Sequence, residues 1–279
     1  MPTRFERRRR QTLLLLAVAA SDPAFAQLKS GDNPEASPNW QRVREPLFKN
    51  RPIRTDADGV ITLETPLRAE DAAIVPIAIR AQFAQSPQRS IERVWLVIDN
   101  NPSPVAALFQ YTQASGRADI ETRVRVDEYT FVRAIAETND GQLYMATRFV
   151  KASGGCSAPP GKDAQAALAS LGKMRLHVDA PASKAARGPL LAQLMISHPN
   201  HSGLAMDQAT RQFTPPHFVR RVNVSYGGKP VMTADVDFSL SENPNLRFHF
   251  NATESGELKA EIVDSNDLKF ETSTRYNPT

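Results

Sequence analysis

Cys156 is the single cysteine in this 279-residue chain, and it lies in Ser153-Gly154-Gly155-Cys156-Ser157-Ala158-Pro159-Pro160. A cysteine can form and exchange sulfur–sulfur bonds as its thiolate, and exposure and nearby charge set how readily it does so. Gly154 and Gly155 leave the backbone before the thiol conformationally free. Pro159 and Pro160 keep the segment after it out of a central strand or a helix interior. The thiol is therefore expected to stand clear of the core, either as a reactive group that carries or exchanges another group or as an incidental small side chain. Lys151, five residues upstream, is placed to lower the thiol pKa by charge proximity, although a solvated surface role is the default for such a lysine. One cysteine permits no intramolecular disulfide, and an odd thiol in an exported chain stands out.

Other side chains offer less. His198, His201 and His217 lie close in sequence and form a conceivable metal set. His198-Pro199-Asn200-His201 reads as a turn rather than a helix face, and no carboxylate falls at an obvious ligand spacing. No metal is assigned, and a hydrogen-bonded structural role is expected for these histidines. A Cys156–histidine pair would require the chain after the thiol to fold back. No G-x-S-x-G elbow occurs and no acid–base set accompanies the thiol. No catalytic residue and no cofactor are assigned, and the chain is not read as an enzyme.

The N-terminus predicts export. Arg4 and Arg7 to Arg10 form a basic region, Thr12 to Ala20 an apolar one, and Ala24-Phe25-Ala26 a cleavage pattern, so residues 1–26 read as a signal peptide. Arg9-Arg10 partially resembles a twin-arginine signal; Sec export is the alternative. The apolar run is too short to span a bilayer, and no later stretch is long and apolar enough, so no membrane anchor is expected after cleavage. The leader carries five basic and two acidic residues of the 34 and 30 in the chain, leaving 29 and 28. That near-neutral balance, with no basic stripe interleaved with aromatics, argues against nucleic-acid binding. The expected location is the periplasm.

The elements that must position Cys156 are strands. Residues 27–57 carry Pro34, Pro38, Pro46 and Pro52 and read as an extended lead-in. Alternating or apolar runs follow at Val60–Leu63, Ala73–Phe83, Val94–Ile98, Val105–Tyr111, Ile120–Val126, Thr130–Ala136 and Leu143–Val150. Pro76 suggests an edge or a bulge in the second of these. The last run leads straight into Gly154-Gly155-Cys156. Residues 157–189 read as a linker with one short helix near 163–171, Asp163 its N-cap and Gly172 its C′ residue. Further runs lie at Leu190–Ile196, Phe218–Tyr226, Val231–Leu240, Leu246–Phe250, Leu258–Val263 and Leu268–Thr274. Short strands with regular turns predict an all-β chain: two immunoglobulin-like antiparallel β-sandwich domains, 58–156 and 190–279, joined by the linker, with their mutual packing left open by the sequence.

Residues 58–156 resemble SoxY in Arg148-Phe149-Val150-Lys151 followed by Gly154-Gly155-Cys156. Residues 190–279 resemble SoxZ in Ile196-Ser197-His198-Pro199, Gly203, Pro216-His217-Phe218, Gly227-Gly228-Lys229, Ser241 to Phe248 and Asp264-Ser265-Asn266. Gly154 to Pro159, with Asn101-Pro102-Ser103-Pro104-Val105-Ala106, is similar to the fused SoxYZ-like group associated with quinoprotein alcohol dehydrogenases. The resemblance implies a non-catalytic carrier, with Cys156 as the covalent attachment residue and Gly154 and Gly155 as its arm. It implies periplasmic redox partners: a quinoprotein dehydrogenase, cytochrome c or Sox-type enzymes. The alternative is a non-covalent docking module for a dehydrogenase or cytochrome, with the thiol unused. The chain departs from the family in continuing past the cysteine, which tethers the arm at both ends, and in having Ser157 rather than Gly after it.

Overall fold

The structure is a computed structural model that describes residue 29 and residues 31–159, 164–179, 188–206 and 211–277. The expected signal peptide and Asp163 lie outside the described residues. After a short 3-10 turn come α1 (Pro38–Phe48), β1 (Ile53–Arg54), β2 (Ile61–Glu64), β3 (Val75–Ala81), β4 (Ile91–Ile98), β5 (Val105–Tyr111), β6 (Ile120–Val124), β7 (Thr130–Thr138) and β8 (Leu143–Val150). The second half contributes α2 (Ala164–Ala169), β9 (Met174–Val178), β10 (Leu190–Ile196), β11 (Val219–Tyr226), β12 (Lys229–Val236), β13 (Asn245–Phe250), β14 (Gly256–Asp264) and β15 (Lys269–Tyr276).

The strands form two facing sheets, a nine-stranded one ordered β1-β8-β7-β4-β5-β12-β11-β14-β15 and a six-stranded one ordered β2-β3-β6-β13-β10-β9. Period-2 alternation drives this arrangement, because apolar residues on one pleat face must meet those of the opposite sheet. β10 shows it directly: Leu190, Ala192, Leu194 and Ile196 are buried and the residues between them less so. Pro76 sits beyond the last β2–β3 pair, Glu64↔Ala78, where β3 has β6 beside it but not β2, a local edge that spares the ladder a missing N–H.

Both sandwiches are immunoglobulin-like, and they are not held apart. β5 of the first half pairs with β12 of the second, from Met232↔Tyr111 to Val236↔Ala107. β6 pairs with β13 at Arg247↔Glu121 and Phe248↔Ile120. Each sheet thus runs unbroken across the halves, and one apolar cluster spans both. The two sandwiches are thus joined through both sheets: the two pairings cover four strand edges that isolated sandwiches would leave exposed.

Two readings are corrected. Part of the expected lead-in is helical. Ser37 caps α1 by accepting from the Trp40 N–H at 3.3 Å, and Pro38 occupies the first turn, where a missing N–H costs nothing. Its apolar side, with Trp40 and Phe48 buried, covers Trp95, Val97, Ile135 and Met145 on the outer face of the larger sheet. Within the expected linker, Met174–Val178 is strand β9, paired with β10.

Candidate functional site

β8 ends at Val150, and the chain then turns across the ends of both sheets. Lys151 pairs by its backbone with the 67–69 segment: its N–H donates to Leu67 O at 2.8 Å and its carbonyl accepts from Ala69 N–H. Gly154 N–H donates to Asp127 O at 2.8 Å and Gly155 N–H to Val126 O at 2.9 Å. Cys156 N–H reaches the Asp127 carboxylate at 3.3 Å. From the second half, the Ser202 hydroxyl donates to Cys156 O at 2.6 Å.

This geometry overturns the expectation of an unshielded thiol. Cys156 is 1 % exposed. The two glycines explain why. Gly154 has φ +81°, the left-handed region that favours glycine. A Cβ on Gly155 would collide with Ala72 O and Val126 O, so only glycine lets the backbone press this close. In this conformation Gly154 and Gly155 are docking residues rather than a free arm. Burial, with the Asp127 and Asp237 carboxylates, pushes the thiol up to about 12; Arg125 acts in the opposite direction. Lys151 is not among the groups acting on it, and neither is any histidine.

Arg125 is the residue that the sequence pattern concealed. It falls on the polar face of β6's alternating run, yet it is 8 % exposed. Its Nη1 donates to Asn200 O at 2.7 Å, Phe238 O at 2.9 Å and Leu240 O at 2.8 Å. The residues that cover it come from 75 or more positions away in the chain. Asn101 completes the floor of the site. Its Nδ2 donates to Arg125 O at 2.8 Å, and its Oδ1 accepts from Asp127 N–H at 3.0 Å.

The histidines are brought together differently from the set considered in sequence. His198, His217 and Asp264 present ligand-type atoms within 4.8 Å of one another, whereas His201 meets His217 through paired backbone bonds of 2.7 and 3.0 Å. His217 Nε2 lies 2.8 Å from Asp264 Oδ2, and His198 Nε2 lies 3.5 Å from the same oxygen. His198 Nδ1 accepts the Asn200 N–H at 3.0 Å. A neutral imidazole that accepts at Nδ1 carries its proton on Nε2, whereas a metal bound at Nε2 would require the proton on Nδ1. His217 and Asp264 are hydrogen-bonded, whereas His198 Nε2, buried and 3.5 Å from Asp264 Oδ2, makes no hydrogen bond among the described residues. Burial, aided by His217, holds His198 down at about 4. Burial acts to raise Asp264, but bonds from His217, Leu268 and Asn266 outweigh it and hold the carboxylate below its usual range.

The fold and the site define the class first: an all-β protein of two merged sandwiches that sets a glycine-flanked cysteine at the seam between its halves. Residues 44–156 match the family described as sulfur oxidation protein SoxY, and residues 178–275 match sulphur oxidation protein SoxZ. The chain is a fused SoxYZ-like protein, of the sulfur-oxidation carrier type, whose family implies partner redox enzymes of the Sox type. No curated protein matches it. Among solved structures it is similar to a superoxide reductase (neelaredoxin) variant from Ignicoccus hospitalis, at 14% identity over 34% of this chain and 82% of that one, with a TM-score of 0.31. It is also similar to a putative superoxide reductase from Thermotoga maritima, at 12% identity over 38% and 96%, with a TM-score of 0.31. Fibronectin(III)-like modules of CbhA from Clostridium thermocellum match at 12% identity over 78% and 93%, with a TM-score of 0.22.

Proposed function

We propose that this protein is a periplasmic thiol carrier that holds a sulfur-containing group on Cys156 and presents it to redox enzymes, in a quinoprotein alcohol dehydrogenase system. The observation that carries the reading is where the SoxY match ends: its last residue is Cys156, behind Gly154-Gly155, with a SoxZ match in the same chain. Loading joins the cysteine sulfur to a sulfur of the cargo. The S–H bond of each partner is lost, two protons go to water, and two electrons pass to a partner redox enzyme such as a c-type cytochrome. The quinoprotein association is supported by the form of Gly154 to Pro159 and of Asn101 to Ala106. The apolar leader supports export.

The test is intact-mass analysis of protein isolated from its periplasm without reductant. A species that reductant removes, absent from Cys156→Ser, is the expected result; a bare thiol under every growth condition would overturn the reading. One observation favours the alternative of a docking module with an unused thiol: in this conformation Cys156 is buried and protonated. Complementation of a deletion separates the two, because the serine variant supports function only if the thiol is incidental.

A further inference from the structure

A buried thiol cannot load or unload until it is released, so the contacts that hold it are the controls on its use. Among the described residues, one hydrogen bond ties the 151–159 segment to the second half: Ser202 Oγ–H to Cys156 O at 2.6 Å. The hydroxyl is oriented for this bond. Its oxygen also accepts the Leu204 N–H at 3.1 Å, which leaves its proton aimed at the Cys156 carbonyl.

The loop that carries Ser202 is itself fixed. His198 N–H donates to Asn243 Oδ1 at 3.1 Å, and Asn200 Nδ2 donates to Leu240 O at 2.8 Å. Asn200 Oδ1 accepts from Val219 N–H at 2.8 Å. The His201–His217 backbone pair and the His217–Asp264 bond anchor the next turn. Asn200 O also receives Arg125, which forms the floor beneath the thiol segment. A rigid support with one hydroxyl projecting onto a segment of little side-chain bulk is the geometry of a catch.

We infer that Ser202 of the SoxZ-like half is a latch on the Cys156 arm, holding the thiol shut until docking of a partner or arrival of cargo displaces it. This rests on the carrier reading for its purpose, but not for its measurement. Without the Ser202 hydroxyl, the Cys156 carbonyl keeps no partner in the closed state while remaining free to find water in the open one. A buried group left unpaired shifts such an equilibrium by about five- to tenfold.

The experiment is iodoacetamide labelling of reduced full-length protein under native conditions, read by mass, with urea-unfolded protein as the fully open reference. Ser202→Ala is expected to label about five- to tenfold faster than wild type. Ser202→Thr, which keeps the hydroxyl, should label within about twofold of wild type. Gly155→Ala excludes the closed state from the opposite side and should approach the unfolded reference. Ser202→Ala labelling at the wild-type rate while fully folded would overturn the latch. If Ser202→Ala fails to fold, Ser202→Thr and Gly155→Ala decide. Slow labelling of a folded Gly155→Ala protein, or fast labelling of Ser202→Thr, would each sink the inference. A missing adduct in the intact-mass test would instead sink carriage and leave the latch standing.

Discussion

Arg133 and Arg125 are both buried guanidiniums, and they are neutralised in opposite ways. Arg133 meets Asp99 bidentately, Nε to Oδ1 and Nη2 to Oδ2, both at 2.8 Å. The Trp40 ring lies over it at 4.4 Å, and Pro34 O and Glu35 add further acceptors from the N-terminal segment. Arg125 donates its hydrogen bonds to three backbone carbonyls, and the Glu242 carboxylate acts on it through its charge. The first arrangement is sealed by aromatic packing from α1 and is built to stay shut. The second lies under a segment with little side-chain bulk, held by backbone bonds, the Asp127 carboxylate and one hydroxyl. The contrast separates permanent closure from releasable closure.

The largest expected effect breaks the permanent closure. Asp99→Ala removes the bidentate partner of Arg133 in a site where both side chains are fully buried, leaving only Pro34 O and the Glu35 carboxylate at 3.3 Å to compensate its charge. Removing one partner of such a pair costs about 3–5 kcal/mol. Urea unfolding should show that loss as a lower midpoint at unchanged slope. A change under about 1 kcal/mol would mean that the backbone acceptors suffice and that the two arginines are equivalent after all.

The same contrast marks what was legible in the sequence. The strands were, because alternation and turn residues are local signals. The helix α1 was readable in principle: Ser37-Pro38 is a start signal, and Trp40, Val43 and Leu47 fall at i, i+3 and i+7. Four prolines masked it. β9 was hidden in the same way, with Met174, Leu176 and Val178 alternating inside a proline-rich stretch. Cys156 was legible as the residue of interest, but its burial was not. Glycines at 154 and 155 fit a free arm and a tightly docked one equally well; the deciding atoms are Ala72 O and Val126 O, far away in sequence. Arg125 and Ser202 gave no local sign, since their roles depend on segments from the opposite half.

Next in size is a pH effect on the support of the releasable site. His198 is held at about 4 in the fold by burial and His217, against about 6.5 unfolded. Between these values the unfolded chain binds a proton that the native state does not, so stability falls as pH drops from about 6.5 to about 4. The full difference is on the order of 3 kcal/mol, and it levels off below the folded pKa. Protonation at Nδ1 would also forbid acceptance of the Asn200 N–H. Urea midpoints measured from pH 7.5 to 4 should follow this slope in wild type and flatten in His198→Asn. An equal slope in both proteins would assign the acid sensitivity elsewhere.

Cys156→Ser should have a smaller effect. The burial of Cys156 means that the substitution sets a hydroxyl in a site shaped for a thiol, and an imperfectly bonded buried hydroxyl costs about 1–3 kcal/mol. The arm can escape that cost by undocking, so the loss in global stability is capped by the docking energy and is at most about 1–3 kcal/mol. A calorimetric midpoint lowered by much more would place the arm within the cooperative core and make its closure as permanent as that of Arg133.

The smallest expected effect concerns Lys151. Its position five residues before the thiol suggested a charge that lowers the thiol pKa. In the fold its backbone is committed to Leu67 and Ala69, and the charges that act on Cys156 are Asp127, Arg125 and Asp237. Lys151 is half-buried and its ammonium is not among the charges acting on the thiol, and charges not in contact are largely screened beyond about 10 Å at 0.1 M salt. Lys151→Ala should therefore leave the pH dependence of Cys156 alkylation unchanged within about 0.2 pH units, and the native labelling rate within about twofold. Asp127→Asn should move both, because it removes a carboxylate that opposes the thiolate and is bonded to the Cys156 N–H. A larger response to Lys151→Ala than to Asp127→Asn would mean that the reacting thiol is governed by its undocked surroundings. Lys151 would then regain the role that its place in the sequence suggested.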